Sequence, residues 1–224
     1  MKNGRHIAEF FGVGAVLTFV GGYMDAYTYI NRGKVFANTQ TGNIVLLGVR
    51  LTDGDLAGVG HYLIPILSFV LGVLIIERIK ASFNDHPTIH WHQLTLILEM
   101  IIMISVGFIP HSLDNLANIM VSLISAMQYE GFRRVNGDAY ATTMCTGNLR
   151  SGTELLFKFF STGEKDLLGR SMQYYGIILI FIAGAAAGTV LTKIMGTRSI
   201  LLTIIGLLAA FMILRFGDKK SEKS

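Results

Sequence analysis

The chain has little of what a soluble domain or a disulfide-knit one relies on. Of its 224 residues only 15% are charged, and cysteine and tryptophan occur once each and proline three times. One cysteine, Cys145, closes no internal disulfide, which excludes a disulfide framework and leaves the redox compartment open. Soluble chains carry roughly 25% charged residues, so a soluble globule is a poor fit. No Walker loop, dinucleotide fingerprint, nucleophile elbow or paired CxxC occurs, so an ATP-driven pump or redox enzyme would lack its usual machinery, and no cofactor is expected. What is present is 51% hydrophobic residues and 25 glycines, with a mean hydropathy of +0.51. Small residues let helices approach closely in lipid, and this composition reads as a multi-span membrane protein. The formal charge of +4 fits basic cytoplasmic loops, and no nucleic-acid partner is expected.

A helix needs about 20 apolar residues to cross the hydrocarbon. Stretches of that kind lie at residues 9–31, 61–78, 93–110, 114–133, 171–193 and 198–216, which predicts six spans. The first runs on through Asp25 with no cleavage motif and reads as retained, not as a signal peptide. With the amino terminus inside, Arg32, Lys34, Arg50, Lys193 and Arg198 fall on one side and the other fourteen basic residues on the opposite one. That asymmetry predicts a multi-pass protein with both termini cytoplasmic, ending in a charged tail at 217–224. Residues 36–51 and 140–160 are Thr-rich and only partly apolar; they read as half-helices or re-entrant segments, which lipid tolerates only inside protein or beside a water-filled cavity.

Thr41-Gly42-Asn43 returns as Thr146-Gly147-Asn148, 105 residues later. At the same offset Asn31 pairs with Asn136, Leu51 with Leu156, Tyr27 with Phe132, and Asp25 with Glu130. A single membrane domain over 1–224 therefore divides into repeats at 9–110 and 114–216. Three spans per repeat is an odd number, so the second repeat enters from the opposite side. The expected fold is an all-α membrane protein of two inverted three-helix repeats, each with a Thr-Gly-Asn half-helix; secondary transporters built this way bind solute near the midplane, between the repeats.

Gly22-x-x-Asp25-Ala26, Gly33, Phe36-Ala37-Asn38 and Thr41-Gly42-Asn43 in the first half, with Gln128, Phe132-Arg133-Arg134, Gly137, Thr142-Thr143-Met144 and Thr146-Gly147-Asn148 in the second, carry a resemblance over essentially the whole chain. The chain resembles the YoaK-like family of small bacterial membrane proteins. The resemblance implies a bacterial cytoplasmic (inner) membrane protein of about six spans and supplies no substrate. Glu130 stands where that family implies a small or neutral residue.

Several residues could carry chemistry. Asp25, flanked by Tyr23 and Tyr27 inside span one, is a carboxylate at membrane depth, suited to carrying a proton or cation, or to pairing with a cation such as Arg133. Glu99 interrupts span three and could relay protons or pair with a neighbouring helix. Glu130 lies beside Arg133 and Arg134, where an ion pair would satisfy it. At Thr41 and Thr146 the hydroxyl can cap a helix start, while Gly42 and Gly147 admit another backbone or a solute. Two half-helix amino termini aimed inward would offer free N–H groups to a carboxylate or polar group; the plainer alternative is that both triplets only cap and pack helices. Asn38, Gln40, Asn43, Gln128, Thr142, Thr143 and Asn148 would be polar neighbours of that solute. Gly184-Ala185-Ala186-Ala187-Gly188 reads as a packing face, and His90-Trp91-His92 as an interfacial belt, with no metal site.

The expected function is a small, non-enzymatic secondary transporter or facilitator of a small polar or anionic solute, with Asp25 as the protonatable coupling group. The short chain leaves room for a homodimer. A non-transporting scaffold or partner-binding subunit is the alternative, and a membrane-embedded enzyme using Asp25, Glu99 and Glu130 is a third reading that lacks a paired nucleophile or metal.

Overall fold

A computed structural model describes residues 11–83, 91–132, 134–135, 138–139 and 145–221. Among these the regular structure is helical, apart from a two-residue antiparallel pairing of Arg134–Val135 with Asp138–Ala139. The helices are α1 (Phe11–Asn31), α2 (Gln40–Thr52), α3 (Leu56–Phe83), α4 (Trp91–Phe108), α5 (Asp114–Gly131), α6 (Cys145–Thr162), α7 (Lys165–Met195) and α8 (Thr203–Ser221). Short 3-10 segments at His111–Leu113 and Gly196–Leu202 lead into α5 and α8.

Helices form within the two partly apolar stretches as α2 and α6, of 13 and 18 residues. Span six is displaced: its α-helix begins at Thr203, not 198, because Gly196 (φ 59°) reverses the chain and the 3-10 segment absorbs the next residues. The expected tail from residue 217 continues α8 as helix to Ser221.

Among the described residues three stretches are long and apolar enough to cross a membrane: Leu56–Ser82, Trp91–Phe108 and the 52-residue Lys165–Phe216, which holds α7, the reversal at Gly196 and most of α8. Their outer faces expose large apolar side chains, among them Leu67 and Leu74 on α3, Ile101 and Phe108 on α4, Leu179 and Ile194 on α7, and Ile205 on α8. A water-soluble surface does not carry apolar side chains in such continuous bands. By contrast α1 and α5 fall short of that apolarity, for a physical reason. They lie within the bundle, and a helix walled by protein can carry polar side chains that lipid would reject. Asp25 and Thr28 on α1, and Asn118, Ser122, Ser125 and Gln128 on α5, are all buried.

The packing crosses between the two halves of the chain. Helix α1 packs against α7 and α8, while α5 packs against α3 and α4; α2 lies on α3, and α6 on α7. Close backbone approach makes the two main crossings. A Cβ at Gly22 would run into the Phe181 carbonyl, one at Gly184 into the Phe19 carbonyl and one at Gly188 into the backbone of Tyr23, so the Gly184–Gly188 face is an intramolecular packing surface. On the other side a Cβ at Gly72 would strike the Leu123 carbonyl of α5.

Candidate functional site

Asp25 sits in the middle of the buried face of α1 and is 4% exposed. Its carboxylate meets the chain just before α2. Oδ1 accepts the backbone N–H groups of Asn38 (2.9 Å) and Thr39 (3.1 Å), and Oδ2 accepts the Thr39 hydroxyl (2.7 Å). Thr39 is the N-cap of α2, and its hydroxyl is turned to Asp25 instead of its own helix. The amino end of a helix carries unpaired N–H groups and partial positive charge. Here the ligand of that end is the chain's own carboxylate. The helix starts at Gln40, one residue before Thr41, so Thr39, not Thr41, holds the cap position; Thr41 is exposed within the first turn.

The approach to α2 is tied down elsewhere too. Thr28 Oγ1 accepts the Ala37 N–H (3.2 Å), and the Asn38 amide donates to the Gly21 carbonyl (3.2 Å). Asn43 closes the loop onto itself, accepting from Phe36 N (3.0 Å) and donating to Phe36 O and Gln40 Oε1 (both 2.8 Å), while Gln40 donates to Ala37 O (3.0 Å). Gly42 lies against the Phe36 ring, where a Cβ would not fit. The Thr-Gly-Asn triplet thus divides its work: Asn43 is buried and structural, and Thr41 faces outward.

In the second half Asn148 is buried like Asn43, and Thr146 and Gly147 are exposed. Cys145 is the first residue of α6. Thr142, Thr143 and Arg133 lie outside the described residues. Glu130 pairs with Lys80 of α3 (2.8 Å), which also bonds Glu77 and stands over the Trp91 ring; the expected pairing with Arg133 or Arg134 falls outside the described side chains. Among the described residues no cluster of His, Cys, Asp or Glu could hold a metal, and Trp91 stacks on His92 at 3.6 Å between centroids.

A second polar region lies deeper. Glu99, on α4, is 1% exposed, and neither carboxylate oxygen has a hydrogen-bond partner. Both ends of the Gln128 amide, the Ser122 and Ser125 hydroxyls and the Asn118 Oδ1 on α5 are likewise buried without partners, as are Thr18 Oγ1 on α1 and Asn38 Oδ1. Natural interiors leave few polar atoms unmatched.

Arg32 is a residue whose role the sequence reading missed. Its side chain is wholly buried, donating from Nε to the Tyr27 hydroxyl (2.9 Å), from Nη1 to Asp114 (2.7 Å) and from Nη2 to the Val106 and Ile109 carbonyls (both 3.0 Å). Asn118 donates to its carbonyl (2.8 Å). One guanidinium thus joins the end of α1, the end of α4 and the start of α5. The signal was available: an arginine just past one span, with an aspartate opening another.

Between α1, α7 and α8 runs a cleft of about 470 Å³, lined by Val16, Phe19, Tyr23, Ala187, Leu191 and Gly206 among others, with Thr203 as a polar member and no charged residue. It suits an acyl chain more than a polar solute.

Compared with known proteins, the chain is 26% identical over 180 residues to the UPF0700 transmembrane protein YoaK of Bacillus subtilis (strain 168), an alignment covering 76% of this chain and 79% of that protein. No solved structure matches it significantly. A family model described as "Protein of unknown function (DUF1275)" matches residues 13–214, and with its apolar, membrane-length helices the chain belongs to that family of membrane proteins.

Proposed function

We propose that the protein is a secondary transporter or facilitator of a small polar solute, built from two inverted repeats and lying multi-pass in a bacterial cytoplasmic membrane with both termini cytoplasmic. The observation that carries this reading is the exchange of partners between the halves. The first helix of each half packs on the long helix of the other, α1 on α7 and α5 on α3, through equivalent glycine-to-carbonyl approaches at Gly184 and Gly72. Each half-helix lies on the long helix of its own half. Such a molecule has two similar rigid parts that can rock about the seam between them, and in this architecture the seam holds the solute.

Polar atoms at that seam favour a neutral or cationic solute over an anion. Arg32 is the one buried cation among the described residues, and its donors are already engaged. Asp25 fixes the start of α2, so its carboxylate both occupies the anion-seeking helix end and offers the seam negative charge. The reading assigns no catalytic step and no resident cofactor. Flux tests it: proteoliposomes with a pH dye, screened against polar metabolites, amino acids and organic anions, with wild type and Asp25→Asn compared. Solute-dependent flux above empty vesicles is expected, altered by the substitution. If correctly folded protein moves nothing across the panel, the scaffold reading gains, and the full hydrogen bonding of Asp25 is the observation that favours it.

A further inference from the structure

We infer that Glu99, Gln128 and Ser125 form an intramembrane site for one dehydrated monovalent cation, of Na⁺ or K⁺ type, distinct from the Asp25 contact. The register of the helices brings these side chains together. Helices α1 and α5 run antiparallel, with Asn118 bonded to the Arg32 carbonyl. Ten residues along each, about 15 Å, Gln128 stands level with Gly22, and Ser125 level with Asp25. On the other side Gly131 of α5 approaches Trp91 and Thr95 of α4. Three or four residues further along each helix, Gln128 meets the level of Glu99.

Helical phase agrees. At 100° per residue, Glu99 lies close in direction to Thr95, which touches α5, and to Val106, whose carbonyl binds Arg32. It therefore points between α5 and α1. On α5, Gln128 falls between the direction of Gly131, toward α4, and that of Asn118, toward α1. By this phase both side chains face the contact between α4 and α5, with Ser125 one turn from Gln128 on the same helix.

Charge and donor chemistry select the ligand. Glu99 has no hydrogen-bond partner, and the buried Arg32 is held by Asp114 and two carbonyls. A carboxylate in such a place is either protonated or, when ionised, held by a counter-charge. A single negative charge balances one positive charge, and a divalent ion would leave an excess in low dielectric. The carboxylate, an amide oxygen and a hydroxyl are hard oxygen donors, which suit a hard cation and not a thiolate- or imidazole-seeking metal. A proton can replace the cation at the same carboxylate, so the two compete.

Equilibrium binding of ²²Na⁺ to purified protein, with choline holding ionic strength constant, tests this without any flux. Wild type should show one saturable site per chain, displaced by unlabelled Na⁺ or K⁺ and by lowering pH, and added Na⁺ should raise the melting temperature. Glu99→Gln should weaken binding by more than about tenfold, and Gln128→Met and Ser125→Ala by less. Size-exclusion and melting in choline establish that each variant is folded; should Glu99→Gln fail to fold, Gln128→Met and Ser125→Ala carry the test. Absence of saturable Na⁺ or K⁺ binding to folded wild type overturns the site, as does undiminished binding in the folded variants. Because the assay reads binding alone, its result stands apart from whether the protein transports.

Discussion

Removing the Asp25 carboxylate should loosen α2 specifically, by an amount set by the bonds it makes. Two backbone N–H groups and one hydroxyl point at its oxygens, at 2.9, 3.1 and 2.7 Å. In Asp25→Ala the N–H groups of Asn38 and Thr39 lose their acceptor in a buried place, at roughly 1–3 kcal/mol each, so the variant should lose about 3–6 kcal/mol in all. Asp25→Asn keeps one carbonyl oxygen for both N–H groups and loses the charge-assisted part, costing about 1–2 kcal/mol. Thr39→Val removes one hydrogen bond to a charged group, at about 1.5–3 kcal/mol, and should cost much less once Asp25 is alanine. The assay is unfolding of purified protein in a fixed detergent, paired with hydrogen exchange read at residues 38–42. Exchange there should accelerate in Asp25→Ala before the amides of α4 or α7 are affected. An alanine variant as stable as wild type, or an asparagine variant as damaged as alanine, would refute the assignment of this carboxylate as the ligand of the helix end.

Gly22→Val and Gly72→Val should each destabilise the bundle by about 1–3 kcal/mol or more through forced separation of packed backbones, and matching losses in melting temperature would show that the two crossings carry similar weight. Arg32→Met should be severe, about 3–5 kcal/mol, since it leaves Asp114 without its buried partner. Arg32→Lys should recover only part of this, because an ammonium cannot reach Tyr27, Asp114 and two carbonyls at once. The Lys80–Glu130 pair, with both side chains partly open to solvent, should contribute less than about 1 kcal/mol in a double-mutant cycle; a larger coupling that persists in high salt would contradict that.

Much of the helical plan was legible because membrane helices announce themselves by apolar length. Asp25 stood out for the same reason. Its ligands did not, since Thr39 lies fourteen residues on and is brought back only by the turn at Gly33 (φ 86°). The triplet Thr41-Gly42-Asn43 drew attention to Thr41 because hydroxyls favour helix starts, yet a carboxylate from another helix moved the cap to Thr39. Arg32 was counted as a loop charge, as charge asymmetry along a sequence cannot tell a solvated arginine from one sealed among three helix ends. Glu130 also bonds Lys80, fifty residues away, a partner that its sequence neighbourhood does not announce. Pairings across the two halves depend on how the chain returns, which periodicity alone does not encode.

The crossing of the halves also governs how the chain must be made. When the ribosome has released the segment through α4, the glycine-lined side of α1 has no surface to meet, because Phe181 and Ala185 have yet to be synthesised. Likewise α3 waits for α5 to cover Gly72. Neither half completes its own interior, so a nascent first half stays open in the bilayer until α7 arrives. Two fragments divided near residue 110 and made together should therefore find each other and assemble, while either made alone would be cleared by membrane quality control.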